Sequence, residues 1–251
     1  MGLLSKEVFV CVDCESTGLD PYEDRVIEVA IKRFTFEKEL MSYETLVNPG
    51  REIPQASIAI HHITQEMVKD APKIHEVMPQ VLEMLSGAII VGHGISFDID
   101  ILIESAKRAG LSSAFLKKAD SLDTLRLARL YGQSPSNSLQ SLRSHFNIED
   151  EGAHRAMGDV IVNIEVFKKL TMNFKTTRQV VEALKRPIEM KTMPLGKYKG
   201  RLFGEIPVNY LTWVSHQDFD QDLLYSIRKE LKRRRQKQNF SQSHNPFSQL
   251  E

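Results

Sequence analysis

Two acidic residues, Asp13 and Glu15, come at the end of a short apolar run in the segment VFVCVDCESTGLD, residues 8–20. The same segment contains both cysteines of the chain, Cys11 and Cys14, in a Cys-x-x-Cys arrangement. On a strand, side chains two residues apart point to the same face and side chains three apart point to opposite faces. A strand here therefore places the two carboxylates side by side and separates the two cysteines.

The cysteine pair is interpreted as structural rather than as a metal site. A closed zinc site needs about four ligands, and the sequence contains only 2 cysteines. We expect both to pack as small apolar residues. Cys11 is then predicted to lie on the face of the carboxylates, and Cys14 in the opposite layer.

Two further acidic residues and a histidine favour a site at the same place. Asp98 lies at the start of a predicted helix, just after a buried strand at 88–93, although a carboxylate is favourable at a helix N-terminus without any function. Asp159 flanks the apolar stripe of a helix predicted over 154–172, so it needs a partner if it is half-buried. The nearby candidate is His154, for which capping or simple surface exposure is the alternative.

The elements that must position these residues change in period along the chain. Strands are predicted at 8–14, 25–36 and 40–50, with the short connections of an antiparallel meander. The later pattern predicts a helix over 74–85, a strand over 88–93 and helices over 96–110, 123–131, 138–146 and 154–172. Strands that first pair antiparallel and then alternate with helices indicate an α/β three-layer fold with a mixed sheet.

The composition changes again near residue 186, where Pro, Gly and Lys become frequent. We predict a first domain over 1–175, a linker over 176–190, a small basic α+β module over 191–236 and a polar, disordered tail over 237–251. Residues 185–251 contain 13 Lys or Arg and 7 Asp or Glu, a net charge of +6, in a chain of net charge zero. The rest of the chain is therefore acidic, and needs bound cations if it handles nucleic acid.

The sequence shows no features of a membrane or secreted protein. No apolar run approaches the roughly 20 residues of a membrane span, and the N-terminal residues lead directly into a strand pattern. Two cysteines in 251 residues suit a reducing compartment. We therefore expect a cytoplasmic protein with no membrane partner.

Three ordered motifs resemble those of the DEDDh branch of the DnaQ-like 3′→5′ exonucleases, whose best-known members are the proofreading epsilon subunits of bacterial DNA polymerase III. The motifs are Asp13-x-Glu15-x-Thr17-Gly18, His93-Gly94-x-x-Phe97-Asp98 and His154-x-Ala156-x-x-Asp159. The similarity spans about residues 7–172 and implies a ribonuclease H-like exonuclease fold. The chain departs from the family pattern at His62, where Gly is usual, and at Gly94, where Asn is usual.

The resemblance implies a site for two divalent cations, Mg²⁺ or Mn²⁺. Asp13 would bridge both ions, Glu15 and Asp159 would hold the ion that carries the attacking water, and Asp98 would complete the shell of the second. His154 would be the general base, since an imidazole with a pKa of about 6.5 is mostly neutral at working pH. Carboxylate ligands suit these hard cations.

Nucleic-acid contacts are predicted around this cluster and in the C-terminal module. Near the cluster the candidates are Thr17, Gly18, Leu19, His61, His93 and Phe97, with core packing as an equal alternative for Phe97. The segment 193–214 resembles a short domain with a Gly-Lys-Tyr-Lys-Gly motif and poorly understood function. Its candidates are Lys197, Lys199 and Arg201, which alternate with aromatic residues; the alternative is a hairpin with solvated lysines and a small aromatic core around Trp213.

The leading functional hypothesis is a metal-dependent 3′→5′ exonuclease that releases nucleoside 5′-monophosphates from the 3′ end of DNA in proofreading or repair. The expected partners are nucleic acid with a free 3′ end, single-stranded DNA in particular, and a DNA polymerase subunit. Two alternatives stay open at this point: an exoribonuclease of the oligoribonuclease or tRNA-trimming type, and a non-catalytic scaffold subunit of a polymerase complex. Contacts to the 2′-OH would separate DNA from RNA, and the sequence does not place them.

Overall fold

The computed structural model describes residues 2–149 and 155–243 of the chain. The chain divides into two compact units, Met1–Leu184 and Lys185–Glu251, called here the first and second units. Among the described residues, no helix combines the length and the apolar character that crossing a membrane requires.

A five-stranded mixed sheet forms the centre of the first unit. Its strands are β1 (Phe9–Ser16), β2 (Val26–Phe34), β3 (Glu39–Leu46), β4 (Ile89–Gly92) and β5 (Ser121–Asp123). The spatial order is β3-β2-β1-β4-β5. β1, β2 and β3 pair antiparallel, whereas β4 and β5 join parallel to β1. Both faces of β1 are buried, which explains its nearly continuous apolar sequence.

Eight helices belong to the first unit as described. They are α1 (Gln55–His61), α2 (Gln65–Val68), α3 (Ile74–Leu85), α4 (Ser96–Arg108), α5 (Thr124–Tyr131), α6 (Leu139–His145), α7 (Ala156–Thr171) and α8 (Thr177–Leu184). Local capping fixes two of their starts: the side chain of Asp123 accepts hydrogen bonds from the first turn of α5, and that of Ser138 does so for α6. A short 3₁₀ turn at Leu4–Lys6 precedes β1.

The two faces of the sheet are covered by different helices. Cys11 of β1 packs in one core cluster with Val160 and Phe167 of α7. Cys14 of the same strand packs in the other cluster with residues of α3 and α4, among them Met78. The predicted α/β three-layer fold with a mixed sheet is confirmed, and the cysteines lie in opposite layers as their spacing predicts.

β5 and α8 are absent from the predicted elements. β5 is three residues long, too short for an alternation pattern, and the sequence predicts no strand there. Residues 177–184, placed in the predicted linker over 176–190, form α8, whose Val180 is fully buried in the core of the first unit. α8 has apolar residues at helical spacing, and this packing outweighs the Pro- and Lys-rich sequence that follows it.

The second unit is mainly helical. It contains α9 (Val208–Val214), α10 (Gln221–Ser243) and 3₁₀ turns at Gly196–Tyr198 and Phe203–Glu205. In its described part, β structure is limited to a bridge between Thr192 and Leu202. Its core is built from Met193, Phe203, Ile206, Leu211, Val214, Leu223 and Ile227. α10 continues to residue 243, so part of the segment predicted as a disordered tail is helical.

Candidate active site

The C-terminal end of β1 carries the first two acidic residues. Asp13 lies opposite Ala30 of β2, and Glu15 lies opposite Glu28. Both Asp13 and Glu15 are half-buried. The strand therefore places two neighbouring carboxylates on the face of the sheet that α7 covers.

α7 brings a third carboxylate to this pair. Asp159 lies in the first turn of the helix, on a half-buried position beside the buried Val160. Carboxylate oxygens of Asp13, Glu15 and Asp159 all lie within 4.8 Å of one another. Three of the four predicted metal ligands thus converge in the structure.

Asp98 lies just outside this group of three and is held against the same strand. Its Oδ1 accepts a hydrogen bond of 2.9 Å from the backbone N–H of Cys14, the residue between Asp13 and Glu15. This contact ties the first turn of α4 to β1. Asp98 is 7% exposed, so its side chain has little contact with solvent.

The crowding of these carboxylates opposes their ionisation. Burial, followed by the charges of Asp98 and Asp159, raises the pKa of Asp13 well above its ordinary value. Burial and the charge of Asp159 raise the pKa of Glu15 to about 7. Burial also raises the pKa of Asp98 to about 7. Buried like charges at this separation favour a bound cation or a proton.

The donor set fits a divalent metal centre. Carboxylate oxygens are the ligands that Mg²⁺ and Mn²⁺ prefer, and three such oxygens lie close enough together to share one ion. Both cysteine thiols are buried, and burial raises the pKa of each well above its ordinary value. They therefore do not offer thiolate ligands, in agreement with their interpretation as packing residues.

An ion pair between the buried Glu28 and the partly exposed Arg155 holds the start of α7 against the sheet. Glu28, which is fully buried, accepts hydrogen bonds from Nε and Nη2 of Arg155. It also accepts a hydrogen bond of 3.0 Å from the backbone N–H of Ala156. Because α7 begins at Ala156, these contacts fix the helix that carries Asp159.

A second polar network crosses the core between α5, α7 and β1. Thr124 donates a 2.6 Å hydrogen bond to Asn163, whose side chain lies 3.5 Å from Sγ of Cys11. Nδ1 of His93 lies 3.0 Å from the hydroxyl oxygen of Thr124. Burial lowers the pKa of His93 to about 4, so this predicted nucleic-acid contact is a neutral imidazole. Asp123 directly precedes Thr124 of this network in the sequence.

The loop between β4 and α4 depends on Asp123 and on the conformation of Gly94. Oδ1 of Asp123 accepts a 3.0 Å hydrogen bond from the backbone N–H of Gly94 while it caps α5. Gly94 has φ +73°, a conformation that Gly adopts at little cost and that Asn, the usual family residue, also tolerates. Gly at position 94, in place of the usual Asn, therefore allows the backbone conformation of the motif.

The predicted contacts at Thr17, Gly18 and Leu19 have different surroundings. Thr17 is buried, and its hydroxyl donates to Asp24 at 2.7 Å and accepts from the backbone N–H of Arg25. A Cβ on Gly18 would lie 2.4 Å from Oδ2 of Asp24, so this position requires Gly. Leu19 is 87% exposed. The Thr17 hydroxyl is occupied in the loop, whereas the Leu19 side chain is free to contact a ligand.

His61 and Phe97 lie at the remaining predicted positions in the first unit. His61 is buried at the end of α1; its Nδ1 accepts a hydrogen bond from the backbone N–H of Ile63, and Nε2 has no partner among the described residues. Burial lowers the pKa of His61, which leaves Nε2 as a neutral donor. Phe97 is partly buried against the cluster of α3 and α4. His62, with φ 60°, caps α1 in the left-handed conformation that explains Gly in the family pattern.

The predicted general base and the predicted contacts in the second unit complete the candidate set. His154, the predicted general base, lies outside the described residues. Lys197, Lys199 and Arg201 belong to the second unit, where all three are exposed.

Sequence reasoning did not identify Glu28 or Arg155 as site residues. A signal was present, because Glu28 is the one charged residue in the apolar run VIEVAI, and a buried acid needs a partner. Its partner is 127 residues away in the sequence. No local pattern links the two positions.

Comparisons with known proteins agree with the motifs. The family described as Exonuclease matches residues 10–167. A second family, described as a putative quorum-sensing-regulated virulence factor, matches residues 181–227. The chain is 34% identical over 163 residues to the DNA polymerase III subunit epsilon of Aquifex aeolicus, which covers 64% of this chain and 79% of that protein.

Other relatives are much longer than this chain. A DNA polymerase III PolC-type of Caldanaerobacter subterraneus subsp. tengcongensis is 32% identical over 194 residues, which are 74% of this chain and 14% of that protein. The chain thus spans only a small part of this relative, and 24% of an epsilon-like protein of Rhodobacter capsulatus.

Solved structures show the same fold at lower identity. Exonuclease X in complex with 5′ overhanging duplex DNA has a TM-score of 0.57 at 24% identity, covering 70% of this chain and 98% of that chain. E. coli Exonuclease I in complex with a dA16 oligonucleotide has a TM-score of 0.61 at 18% identity, covering 70% and 42%. With the family match over 10–167 and the relationship to the epsilon subunit, the chain belongs to the DnaQ-like exonuclease family.

Proposed function

We propose that this chain is a 3′→5′ exodeoxyribonuclease that releases nucleoside 5′-monophosphates from the 3′ end of single-stranded DNA. The observation that supports this most directly is the cluster of Asp13, Glu15 and Asp159, whose oxygens lie within 4.8 Å of one another. Asp98 lies next to it, bonded to the backbone between the first two. This is an oxygen-rich site suited to hydrolysis of a phosphodiester.

Asp13, Glu15, Asp98 and Asp159 would hold two divalent cations, Mg²⁺ or Mn²⁺. When bound, such cations lower the pKa of water and stabilise charge at phosphorus and at the departing oxygen. Their positive charge would also offset the mutual repulsion that raises the pKa of Asp13. The carboxylates would then be ionised at neutral pH.

The chain's own residues would bind the terminal nucleotide and move the proton. His154 would take a proton from the attacking water, and the bond from the water oxygen to phosphorus would form as the bond to the 3′ oxygen of the preceding nucleotide breaks. The departing 3′ oxygen would take up a proton from solvent and become the new 3′-hydroxyl. The product is a nucleoside 5′-monophosphate and a strand one nucleotide shorter. Arg155 follows His154 directly in sequence, and its ion pair with Glu28 would help to position this base. The buried Nε2–H of His61, which lacks a partner among the described residues, is suited to donate to a phosphate oxygen.

DNA as substrate and a DNA polymerase as partner are proposed from the relatives. The protein of Aquifex aeolicus is named as a subunit of DNA polymerase III, and Exonuclease I was solved with a DNA oligonucleotide. These proteins support a role in proofreading or repair. Matched single-stranded DNA, mismatched duplex and RNA are the substrates that separate this role from an exoribonuclease.

The decisive experiment follows shortening of a 5′-labelled single strand on a gel with Mg²⁺ or Mn²⁺. Wild type should produce a ladder that shortens from the 3′ end, EDTA should stop it, and Asp13→Ala should reduce the rate by at least about a thousandfold, because a metal ligand is lost. Asp100→Asn, which removes an exposed carboxylate on the same helix as Asp98, is the matched control and should cleave as wild type does. An active Asp13→Ala protein would refute the metal assignment.

His154→Ala tests the general base separately from the metal site. We expect it to keep metal-induced thermal stabilisation and to lose about a hundredfold or more in turnover. Undiminished turnover would remove His154 from the mechanism without affecting the metal assignment.

A further inference from the structure

A group of three aromatic rings lies on the second unit, one of them exposed and two partly buried against its core. Tyr198, Tyr210 and Trp213 form a chain of contacts, with ring centroids 4.7 Å apart for the first pair and 5.6 Å for the second. The sequence alternative places Trp213 in a small core, but the side chain is 55% exposed. The buried core of this unit is formed by other residues, including Phe203 and Leu211. The three rings are called here the aromatic platform.

Two glycine turns hold the platform in place. The 3₁₀ turn Gly196–Tyr198 carries the first ring, and Gly196 and Gly200 have φ of +72° and +83°, values that favour Gly. A Cβ on Gly196 would lie 2.9 Å from the hydroxyl oxygen of Tyr210. The turn therefore packs closely against the second ring.

Basic side chains border the Tyr198 ring of the platform. Nζ of Lys197 lies 5.5 Å from the centroid of the Tyr198 ring, and Cζ of Arg201 lies 6.0 Å from it. Lys199 lies between them in sequence and is exposed. Within the part of the chain that the structure describes, none of these three cations forms an ion pair. Their charges are therefore available to an anionic ligand.

From this geometry we propose that the aromatic platform is a binding site for single-stranded nucleic acid, in which an unpaired base stacks on Trp213 and the backbone phosphates contact Lys197 and Arg201. Stacking needs an exposed ring face, and phosphates need unpaired cations; both occur here within one turn and one helix. A base contributes a π-face whatever its identity, so the site should bind without strong sequence preference.

The charge of the second unit favours this ligand over a protein partner. Residues 185–251 contain 13 Lys or Arg against 7 Asp or Glu, and a polyanion benefits from that whole surface. The choice of nucleic acid rests on the proposed exonuclease function. The binding measurement does not, because it needs no turnover.

The test uses Trp213 itself as the reporter, since the chain contains 1 tryptophan. The full chain, with Asp13→Asn to prevent cleavage and EDTA present, is titrated with a twenty-nucleotide single strand of thymidines at low salt. We expect quenching of tryptophan emission that saturates with the same dissociation constant as the anisotropy of a fluorescein-labelled strand. Binding seen by anisotropy with unchanged Trp213 emission would overturn the proposal, as would absence of binding.

Substitutions locate the site. By anisotropy, Trp213→Ala should weaken binding by at least about fivefold, whereas Tyr225→Ala, which removes another exposed ring of the same unit, should change it less than twofold. The double variant Lys197→Gln/Arg201→Gln should weaken binding more than Lys232→Gln/Arg235→Gln, which removes the same charge from exposed positions of α10. Equal effects of the two double variants would show that binding depends on the overall positive charge of the unit, and would overturn the proposed site.

These outcomes are separable from failure of the proposed function. A protein that quenches and binds but does not shorten DNA with Mg²⁺ would contradict the exonuclease proposal and support the platform. A protein that shortens DNA but shows no response at Trp213 would support the exonuclease proposal and contradict the platform.

Discussion

Asp13 combines a carboxylate, partial burial and a position on the central strand of the sheet. It lies on the central strand, half-buried, and burial together with the charges of Asp98 and Asp159 raises its pKa well above the ordinary value. A carboxylate in this position destabilises the metal-free fold when it is ionised. The arrangement that would allow the site to bind cations therefore lowers the stability of the metal-free protein.

Asp13→Asn should therefore stabilise the metal-free protein. Removing the charge relieves repulsion from its neighbours, and we expect a gain of about 1 kcal/mol or more, or roughly 2–4 °C in melting temperature for a chain of this size. The measurement is thermal melting in EDTA at pH 8. Adding Mn²⁺ should raise the melting temperature of wild type but not of the variant. Asp100→Asn should melt as wild type does in both conditions, and a destabilised Asp13→Asn would contradict the repulsion.

Glu15 predicts a pH dependence of stability. Its pKa is raised to about 7 in the folded protein, from 4.5 in the unfolded chain, so the folded state binds more protons between these values. In the metal-free protein, the contribution of Glu15 to the free energy of unfolding does not change with pH below about pH 4. It becomes increasingly destabilising as the pH rises to 7.

Comparison of wild type with Glu15→Gln isolates this effect, because other titrating groups are shared. In EDTA near pH 4.5, we expect the free energies of unfolding of wild type and Glu15→Gln to differ only by an offset that does not depend on pH. The variant should gain about 2–3 kcal/mol relative to wild type by pH 8, allowing for partial solvent screening. Denaturant unfolding at both pH values measures it. A difference independent of pH would show that Glu15 titrates normally.

At the scale of elements, α7 is positioned by a contact that the sequence does not reveal. Glu28 of β2 is fully buried, whereas the side chain of Arg155, just before α7, is 42% exposed. Loss of the arginine would leave a buried carboxylate without its main partner. The helix start and Asp159 would then be less firmly held.

Arg155→Ala should therefore destabilise the protein by about 3–5 kcal/mol, the usual cost of an unpaired buried charge. Arg155→Lys should lose less, because it keeps the charge but not the two-pronged geometry. Lys168→Ala, which removes a surface ion pair with Glu165 on the same helix, is the control and should cost less than about 1 kcal/mol. Urea unfolding provides all three values; equal losses for Arg155→Ala and Lys168→Ala would argue against the positioning role.

At the scale of the whole molecule, the division after Leu184 defines which fragment should fold. α8 contributes Val180 and Leu184, 0% and 7% exposed, to the core of the first unit. A chain ending at residue 175 lacks both. We expect residues 1–184 to give a cooperative melting transition and residues 1–175 to be less stable by about 3–6 kcal/mol, from the lost burial. Equal stability of the two fragments would place the boundary where the sequence alone predicts it, at 175.

Much of the first unit follows from local sequence patterns. The apolar run before Asp13 predicts β1, the recurrence of apolar residues predicts α3, α4 and α7, and the change of period predicts a mixed three-layer fold. The same alternation predicts that Cys11 and Cys14 lie in opposite layers. β5 and α8 are not predicted, because a three-residue strand has no measurable period and α8 lies beside a loop-like composition.

The sequence by itself determined the residue types of the site, their order and the strand face that Asp13 and Glu15 share, because these depend on neighbours two to four positions away. Only the tertiary structure decided that Asp98 bonds to the backbone of Cys14, 84 residues away, and that Glu28 pairs with Arg155 across 127 residues. It also decided that Trp213 is exposed rather than buried. Such contacts depend on which faces meet after packing, and the free energy of that choice is distributed over the whole core rather than written in any short stretch.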